Sequence, residues 1–555
     1  MEIEEKDENI EVKDFNIEEW KSNVNKNIKI NFNIEEWKSN IEVWKSSVED
    51  WLKNKIINQE KVFEYDDNGR PSKLIPYNCA EELQNLFRFY TDQNTNELYI
   101  YHEDKGIWKP DGEAIINKIV EAQLGYIAST RAISEVIDHI KRRNYLDPDK
   151  ININKPFINL KNGVLDLETG QLLPHDPEFY FKNYVNVKYN PELNIPKKII
   201  DFLLDRADGN YEKFIDLLEA LAFPLLPDYR IHVAIMLVGE THRGKTTYLI
   251  LLQRIYGKEN ASYLTIQQIS KASEEHPFIL TSLIDKMINI ADDLPERPIT
   301  DVGLFKQLTG ESPILAEKKF GGTISFVNRA KMFFSANKIP EVYENTDAFF
   351  SRWLIIEFNK PIVNEIPNFV NELTSEDELS NLLPILVWIV RNKLMKNTKF
   401  TYQKTPEENA ELYAKHSNSA KLYCEKRLNV KPEGKILKEN LFKDYKKWCE
   451  KHGYLEETEK SFWIALKSYF ADQEYVAEKR ITTEGITRRH MVGLEFVDEE
   501  EIEEEEETET NQNKDLLREY FEIDKIEKND KPEPIEIYIK EIYDYIMTFK
   551  NLTNK

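Results

Sequence analysis

"LVGETHRGKTTYLILL", residues 237–252, decides how this chain is read. An apolar run ends in a turn that holds Gly239 and Gly244. A Lys-Thr pair follows, and apolar residues then resume at helical spacing. Gly239 to Thr246 fits G-x-x-x-x-G-K-[ST] in full. Between a strand and a helix, such glycines let backbone N–H groups curl round phosphate oxygens, and the helix N-terminus adds positive potential. The reading predicts a triphosphate cradle made of Gly239, Glu240, Thr241, His242, Arg243, Gly244, Lys245, Thr246 and Thr247. Lys245 would reach the β and γ oxygens, and Thr246 would ligate Mg²⁺. The bland alternative is a glycine turn without a ligand, and the flanking strand and helix signals weigh against it.

A phosphate loop needs an acid at a second strand end. "KMINIADD" supplies Asp292 and Asp293 47 residues after Lys245. One acid there holds Mg²⁺ and its neighbour polarises the attacking water. Alone, the pair would be an ordinary turn. "AKMFFSANKIP" ends a third strand at Asn337, an amide placed to orient water or contact a γ-phosphate, or merely to cap the strand. "DAFFSRWLIIEF" sets Arg352 before a fourth strand. It is either a finger for a neighbouring subunit's γ-phosphate or a surface arginine. Helical stretches separate the four strand runs, an alternation that predicts a mostly parallel sheet covered by helices.

Outward from this core the pattern changes. "FNIEEWKSN" occurs at residues 15–23 and again at 32–40. A stripe then runs Ile34, Trp37, Ile41, Trp44, Val48, Trp51 on one helix face, suited to self-docking or to a partner. Residues 75–195 read as a small α+β domain with turns at Asn162-Gly163 and Thr169-Gly170. Residues 415–497 read as helices followed by a hairpin bearing Lys479, Arg480, Arg488 and Arg489. Asp498 to Glu509 carries ten acids and no base, the composition of a solvated linker. "PIEIYIKEIYDYIMTFKNL" is a last helix and a candidate docking tail.

The net charge of −24 over 555 residues argues superficially against a nucleic-acid partner, but the excess is concentrated in the arm and the linker. No uncharged apolar run is long enough to span a membrane, and the N-terminus lacks the apolar core of a signal peptide. Cys79, Cys424 and Cys449 match no metal spacing, so the expectation is a reducing compartment inside a host cell, with no membrane and no zinc site.

The order "GETHRGKTT", "INIADD", "LTGESPILAEKKFGGTISF" and "MFFSANKIP" resembles the superfamily 3 helicases, AAA+ motors of viruses and plasmids. "INLKNGVLDLETGQLLPHDPEFYF" resembles the domain before the motor in the phage and plasmid primase-helicase branch. "LFKDYKKWCEKHG" with its hairpin resembles the winged helix after it. The resemblance covers residues 75–497. It implies that Lys245 and Thr246 bind ATP and Mg²⁺, that Asp292 and Asp293 are the Walker B pair with Asp292 on the metal, that Asn337 senses the γ-phosphate and that Arg352 is the finger. It further implies that Lys318 and Lys319 tip a pore hairpin gripping DNA. The sequence departs from the family at Arg243, where some relatives have Asn, and at Asp293, where Glu is commoner. The residues before the first recognisable domain are too few for a primase domain, so no primase activity is expected.

The expected architecture is multidomain α/β: an acidic arm (1–60), an α+β domain (61–200), a central AAA+ P-loop ATPase with a parallel sheet (201–400), a winged-helix domain (401–497), an acidic linker (498–515) and a helical tail (516–555). The expected function is a viral or plasmid replicative DNA helicase, a homohexameric ring served by a separate primase or polymerase. The winged helix would grip duplex through Lys479, Arg480, Arg488 and Arg489, or serve only as a packing module. The rivals are a non-unwinding DNA-dependent ATPase, such as an initiator or packaging motor, and a scaffold whose ATPase is an assembly switch. Forked-DNA unwinding separates the first, and deletion of residues 1–60 the second.

Overall fold

The computed structural model describes residues 50–147, 156–190, 194–272, 276–317, 322–343, 346–363, 366–452, 454, 456–483, 486–497, 509–529 and 532–553. The FNIEEWKSN repeat, Lys318, Lys319 and the acidic run 498–508 lie outside them, as does the tryptophan stripe up to Val48. The chain divides into two compact units, Met1–Lys155 with His175–Lys182, and Pro156–Pro174 with Asn183–Lys555. Residues 156–174, read above with the α+β stretch, therefore pack with the unit that carries Gly239 to Thr246. No helix among the described residues is long and apolar enough to cross a membrane.

In the first unit, β1 (Phe63–Tyr65) and β2 (Pro71–Leu74) form an antiparallel pair. Strands β3 (Phe89–Asp92), β4 (Leu98–His102), β5 (Ile107–Lys109) and β6 (Tyr145–Leu146) form a sheet in the order β5-β4-β3-β6. Helices α1 (Pro76–Leu86), α2 (Gly112–Leu124) and α3 (Thr130–Arg143) accompany them. Ile133, Val136, Ile137 and Ile140 recur at steps of three and four, so α3 buries one face in the same cluster as Ile100, Ile116 and Val120. Tyr90, Tyr99, Tyr101 and Trp108 form a separate aromatic cluster. Trp51, last of the tryptophan stripe, packs edge-on against Phe87 with centroids 6.0 Å apart.

The second unit begins with a meander of β7 (Phe157–Leu160), β8 (Gly163–Asp166) and β9 (Leu172–Leu173), turning at both predicted sites. Helices α4 (Lys197–Ala207) and α5 (Tyr211–Ala222) follow. The central sheet contains β10 (Ala234–Val238), β11 (Ala261–Ser262), β12 (Ile288–Ala291), β15 (Lys331–Ala336) and β16 (Trp353–Glu357). Helix α6 (Lys245–Tyr256) leaves β10 through the Gly239–Gly244 loop, and β13 (Pro313–Glu317) pairs with β14 (Thr323–Val327) as an antiparallel hairpin. The sheet order is β11-β12-β15-β10-β16, and every pairing is parallel. All four apolar runs predicted as strands are in it. Ile235 and Leu237 of β10 join one buried cluster, whereas Ala234, Met236 and Val238 join another. The two-residue period thus feeds a core on each face, as a helix-covered parallel sheet requires.

Helices α7 (Glu376–Ile389) and α8 (Pro406–Ser417) lead to a smaller module. It runs α9 (Ser419–Arg427), β17 (Leu428–Leu437), α10 (Lys438–His452), α11 (Glu459–Tyr469), β18 (Ala477–Thr483), β19 (Ile486–Phe496). Its strands pair in the order β17-β19-β18, so the predicted hairpin closes on an earlier strand. The tail helices α12 (Glu509–Tyr520) and α13 (Pro534–Thr553) bury Leu517, Tyr520, Phe521, Tyr538, Ile539, Ile542 and Ile546 in the core that also holds Ile235 and Leu237. The predicted docking tail docks on its own unit.

Candidate active site

The parallel register puts the C-terminal ends of β12, β15 and β10 side by side, and in open parallel sheets ligands bind at such strand ends. The loop between β10 and α6 has Gly239 at φ +152° and Gly244 at φ +93°. A Cβ on Gly239 would lie 2.3 Å from the Phe358 carbonyl oxygen, so no side chain fits there. His242 is also left-handed, at φ +56°.

Lys245 opens α6 and is 7% exposed. Its Nζ donates to the Gly239 carbonyl at 2.5 Å, the Glu240 carbonyl at 2.8 Å and Asn337 Oδ1 at 2.9 Å. Burial pushes its pKa below the usual lysine range, and the charges of Asp292 and Asp293 oppose that push. Asn337 follows the last residue of β15 and so enters from the neighbouring strand. Thr246 Oγ1 donates to Asp292 Oδ2 at 2.8 Å. Ser335 of β15 donates from its hydroxyl to Asp292 Oδ1 and accepts from the Asp293 N–H at 3.1 Å. A hydroxyl and a carboxylate at hydrogen-bond distance suit a hard divalent cation, and the Lys245 ammonium, its three donors held here by two loop carbonyls and Asn337, places a positive charge beside the loop. The residues present fit a triphosphate with Mg²⁺.

Lys245, Thr246, Asp292 and Asn337 are therefore brought together, with Asp293 next in the chain. Arg352 is not. It precedes β16, whose first residue, Trp353, pairs with Ala234, the first residue of β10, so it stands at the far end of the sheet from Lys245. Its Nη1 donates to the Thr309 carbonyl at 3.0 Å and to Thr309 Oγ1 at 3.2 Å, while its buried Nε has no partner. Burial lowers its pKa.

On the β18–β19 hairpin, Arg480 stands directly opposite Arg489, and Lys479 opposite His490. Lys479, Arg480, Arg488 and Arg489 are all exposed. Arg489 reaches Glu478 at 3.4 Å, an acid shared with Lys438 and Lys467. Lys318 and Lys319 belong to the connection between β13 and β14, outside the described residues.

Two groups escape a motif reading. Ser335 bonds the Asp292 carboxylate and the Asp293 backbone N–H, and its signal is a hydroxyl next to the end of the buried strand "KMFFSA". Arg206 of α4 donates to the Arg243 carbonyl at 2.9 Å. Its signal is an adjacent acid-base pair, Asp205 and Arg206, at the end of the apolar run "FLLDRA".

Residues 35–208 match the family described as "D5 N terminal like", and residues 237–352 match "Family of unknown function (DUF5906)". Among solved structures, "The A form apo structure of NrS-1 C terminal region-CTR" is 14% identical with a TM-score of 0.41. "The apo structure of NrS-1 C terminal region" is 16% identical with a TM-score of 0.41. Each comparison covers 74% of this chain and 97% of the other. The chain is thus similar to the D5 N terminal like family over residues 35–208.

Proposed function

We propose that the protein is an ATP-dependent replicative DNA helicase of the viral and plasmid superfamily 3 kind, acting as a hexameric ring. One observation carries the reading: Lys245, the Thr246–Asp292 pair and Asn337 converge at the ends of adjacent parallel strands. The D5 N terminal like match of residues 35–208 points the same way, since the primase-helicase resemblance places such a domain before the motor.

In this mechanism the loop amides and Lys245 bind the β and γ oxygens. Thr246 and Asp292 would hold Mg²⁺, which would supply Lewis-acid neutralisation of developing charge. Asp293 accepts a hydrogen bond from the attacking water and aligns it in line with the leaving oxygen. Water oxygen bonds to the γ-phosphorus, the bond to the β–γ bridging oxygen breaks, and ADP and phosphate leave. Asn337, bonded to Lys245, registers whether the γ-phosphate is present. Arg352 cannot serve its own loop from the far end of the sheet, which supports a role at a neighbour's site in a closed ring. The β13–β14 connection with Lys318 and Lys319 would grip strand backbone. The α9–β19 module, read as a winged helix, would hold duplex through Lys479, Arg480, Arg488 and Arg489. Two arginines directly across a strand pair repel, and a polyanion relieves that cost.

The test is displacement of a strand from forked DNA with ATP and Mg²⁺, beside Lys245→Ala. Separation that the variant loses supports the motor. DNA-stimulated hydrolysis without separation would replace it with the initiator or packaging reading.

A further inference from the structure

We infer that Arg206 is a positioning residue for the phosphate loop: from the last turn of α4 it holds the Arg243 carbonyl outward, so that the Gly244 amide beyond it turns toward the phosphate. The inference rests on the nucleotide reading above and adds a residue that no sequence motif marks.

Arg206 is 4% exposed. Its Nη1 donates to the Arg243 carbonyl at 2.9 Å and to the Lys360 carbonyl at 2.8 Å. One guanidinium nitrogen therefore ties the phosphate loop to the segment that follows β16. Its Nη2 pairs with Asp205, which also receives Lys360 Nζ at 2.7 Å. One peptide earlier, the Ile362 N–H donates to the His242 carbonyl at 3.0 Å. In a trans peptide the carbonyl and the next N–H point in opposite directions. Fixing the His242 and Arg243 carbonyls toward these donors turns the N–H groups of Arg243 and Gly244 away from them, the orientation an anion in the loop requires.

The stem also packs against the loop. A Cβ added to Gly244 would lie 2.9 Å from Arg206 Cδ, so arginine and glycine are in direct contact. Burying a guanidinium is costly, and an apolar side chain would fill the space without that cost. Nη1 holds the two carbonyls while Nη2 pairs with Asp205, so one planar guanidinium serves both segments and an acid at once. The helix that presents Arg206 and the segment before it are held by the tail: Tyr545 donates to Asp201 Oδ1 at 2.7 Å, and Tyr538 to the Asn194 carbonyl at 2.8 Å.

The experiment uses the full-length chain with Arg206→Met and Arg206→Lys. It measures binding of ATP and of inorganic tripolyphosphate, KM and kcat for hydrolysis, and melting temperature. Losing the charge-assisted hydrogen bond to the loop and the one that ties it to Lys360 is expected to weaken ATP and tripolyphosphate together, by about tenfold or more, and to raise KM in step. At saturating ATP, kcat stays within about threefold, because Arg206 touches no reacting atom. Arg206→Lys, which keeps a donor but not the fork, falls between. A melting point that drops while both affinities hold would make Arg206 merely structural and overturn the inference. So would loss of ATP affinity with tripolyphosphate binding intact. If Arg206→Met does not fold, Arg206→Lys decides, and wild-type affinity there also overturns it. A wild-type chain that binds neither ligand overturns the nucleotide reading itself, and this inference with it.

Discussion

Thr246 on the first turn of α6 and Asp292 after β12 are joined by a 2.8 Å hydrogen bond, although β15 separates β12 from β10 in the sheet. The two residues thus meet across a strand that itself supplies Ser335 and Asn337. Asp292→Asn keeps the shape and removes the charge a divalent cation needs. Hydrolysis is expected to fall by about a hundredfold or more, the scale seen when a preorganised charge-stabilising group is lost. Steady-state turnover across a Mg²⁺ titration checks it, with melting temperature as the control. A variant that hydrolyses at the wild-type rate would remove Asp292 from the site.

Asp293 carries a backbone φ of +55°, a region that Asp and Asn tolerate better than longer side chains. This gives a physical reason for Asp at a position where the resembling family more often has Glu. Asp293→Glu is expected to cost about 1 kcal/mol of stability from backbone strain and to give no gain in turnover. Chemical denaturation beside a hydrolysis assay tests both halves. Faster hydrolysis at unchanged stability would refute the account.

Arg352→Ala is expected to bind ATP normally and to lose hydrolysis, since the residue is remote from its own phosphate loop. Mixing inactive Arg352→Ala with inactive Lys245→Ala should restore part of the activity, because some interfaces then combine an intact loop with an intact arginine. No recovery on mixing, together with a lowered melting point, would assign Arg352 to Thr309 and the fold instead.

Glu357 at the end of β16 meets His416 Nε2 at 2.7 Å and Lys415 Nζ at 2.9 Å. Burial by itself would raise its pKa. The His416 hydrogen bond and the Lys415 charge outweigh burial and hold the carboxyl at about 2, against an ordinary 4.5. The folded state thus binds the proton less tightly than the unfolded chain. The stabilisation, on the order of 3 kcal/mol, is complete above pH 4.5 and is lost as the pH falls toward 2. Stability of Glu357→Gln, followed through that window, should show a shallower acid limb. An identical limb would disprove the linkage.

Arg480→Glu and Arg488→Glu are expected to weaken duplex binding across sequences and to flatten its salt dependence by about one unit of slope each. Hydrolysis without DNA should hold. Fluorescence anisotropy at several salt concentrations gives the answer, and unchanged slopes would leave the hairpin as a packing element.

The candidate site's parts on strands were legible because each strand is a buried, mostly apolar run followed by a glycine or a polar residue: Val238 before Gly239, Ala291 before Asp292, Ala336 before Asn337. The fifth strand, Ala261–Ser262, was not legible, because two residues carry no period and its place is fixed by pairing with β12. Arg206 and Ser335 were missed for a related reason. Their roles depend on contacts to residues 37 and 43 positions away, and spacing within a helix or strand does not encode such contacts. The tail was legible, since Tyr538, Ile539, Ile542 and Ile546 mark a helix face that had to be buried somewhere.

The tail's burial also determines how a nicked chain would behave. Tyr520 donates to the buried Glu219 carboxylate at 3.0 Å, which also accepts from Thr401, and Trp388 packs against both Tyr520 and Phe521. Release would expose those apolar side chains and strip a buried acid of one donor. A single cut between residues 497 and 509 would therefore leave one particle made of two peptides, which co-migrate until a denaturant separates them.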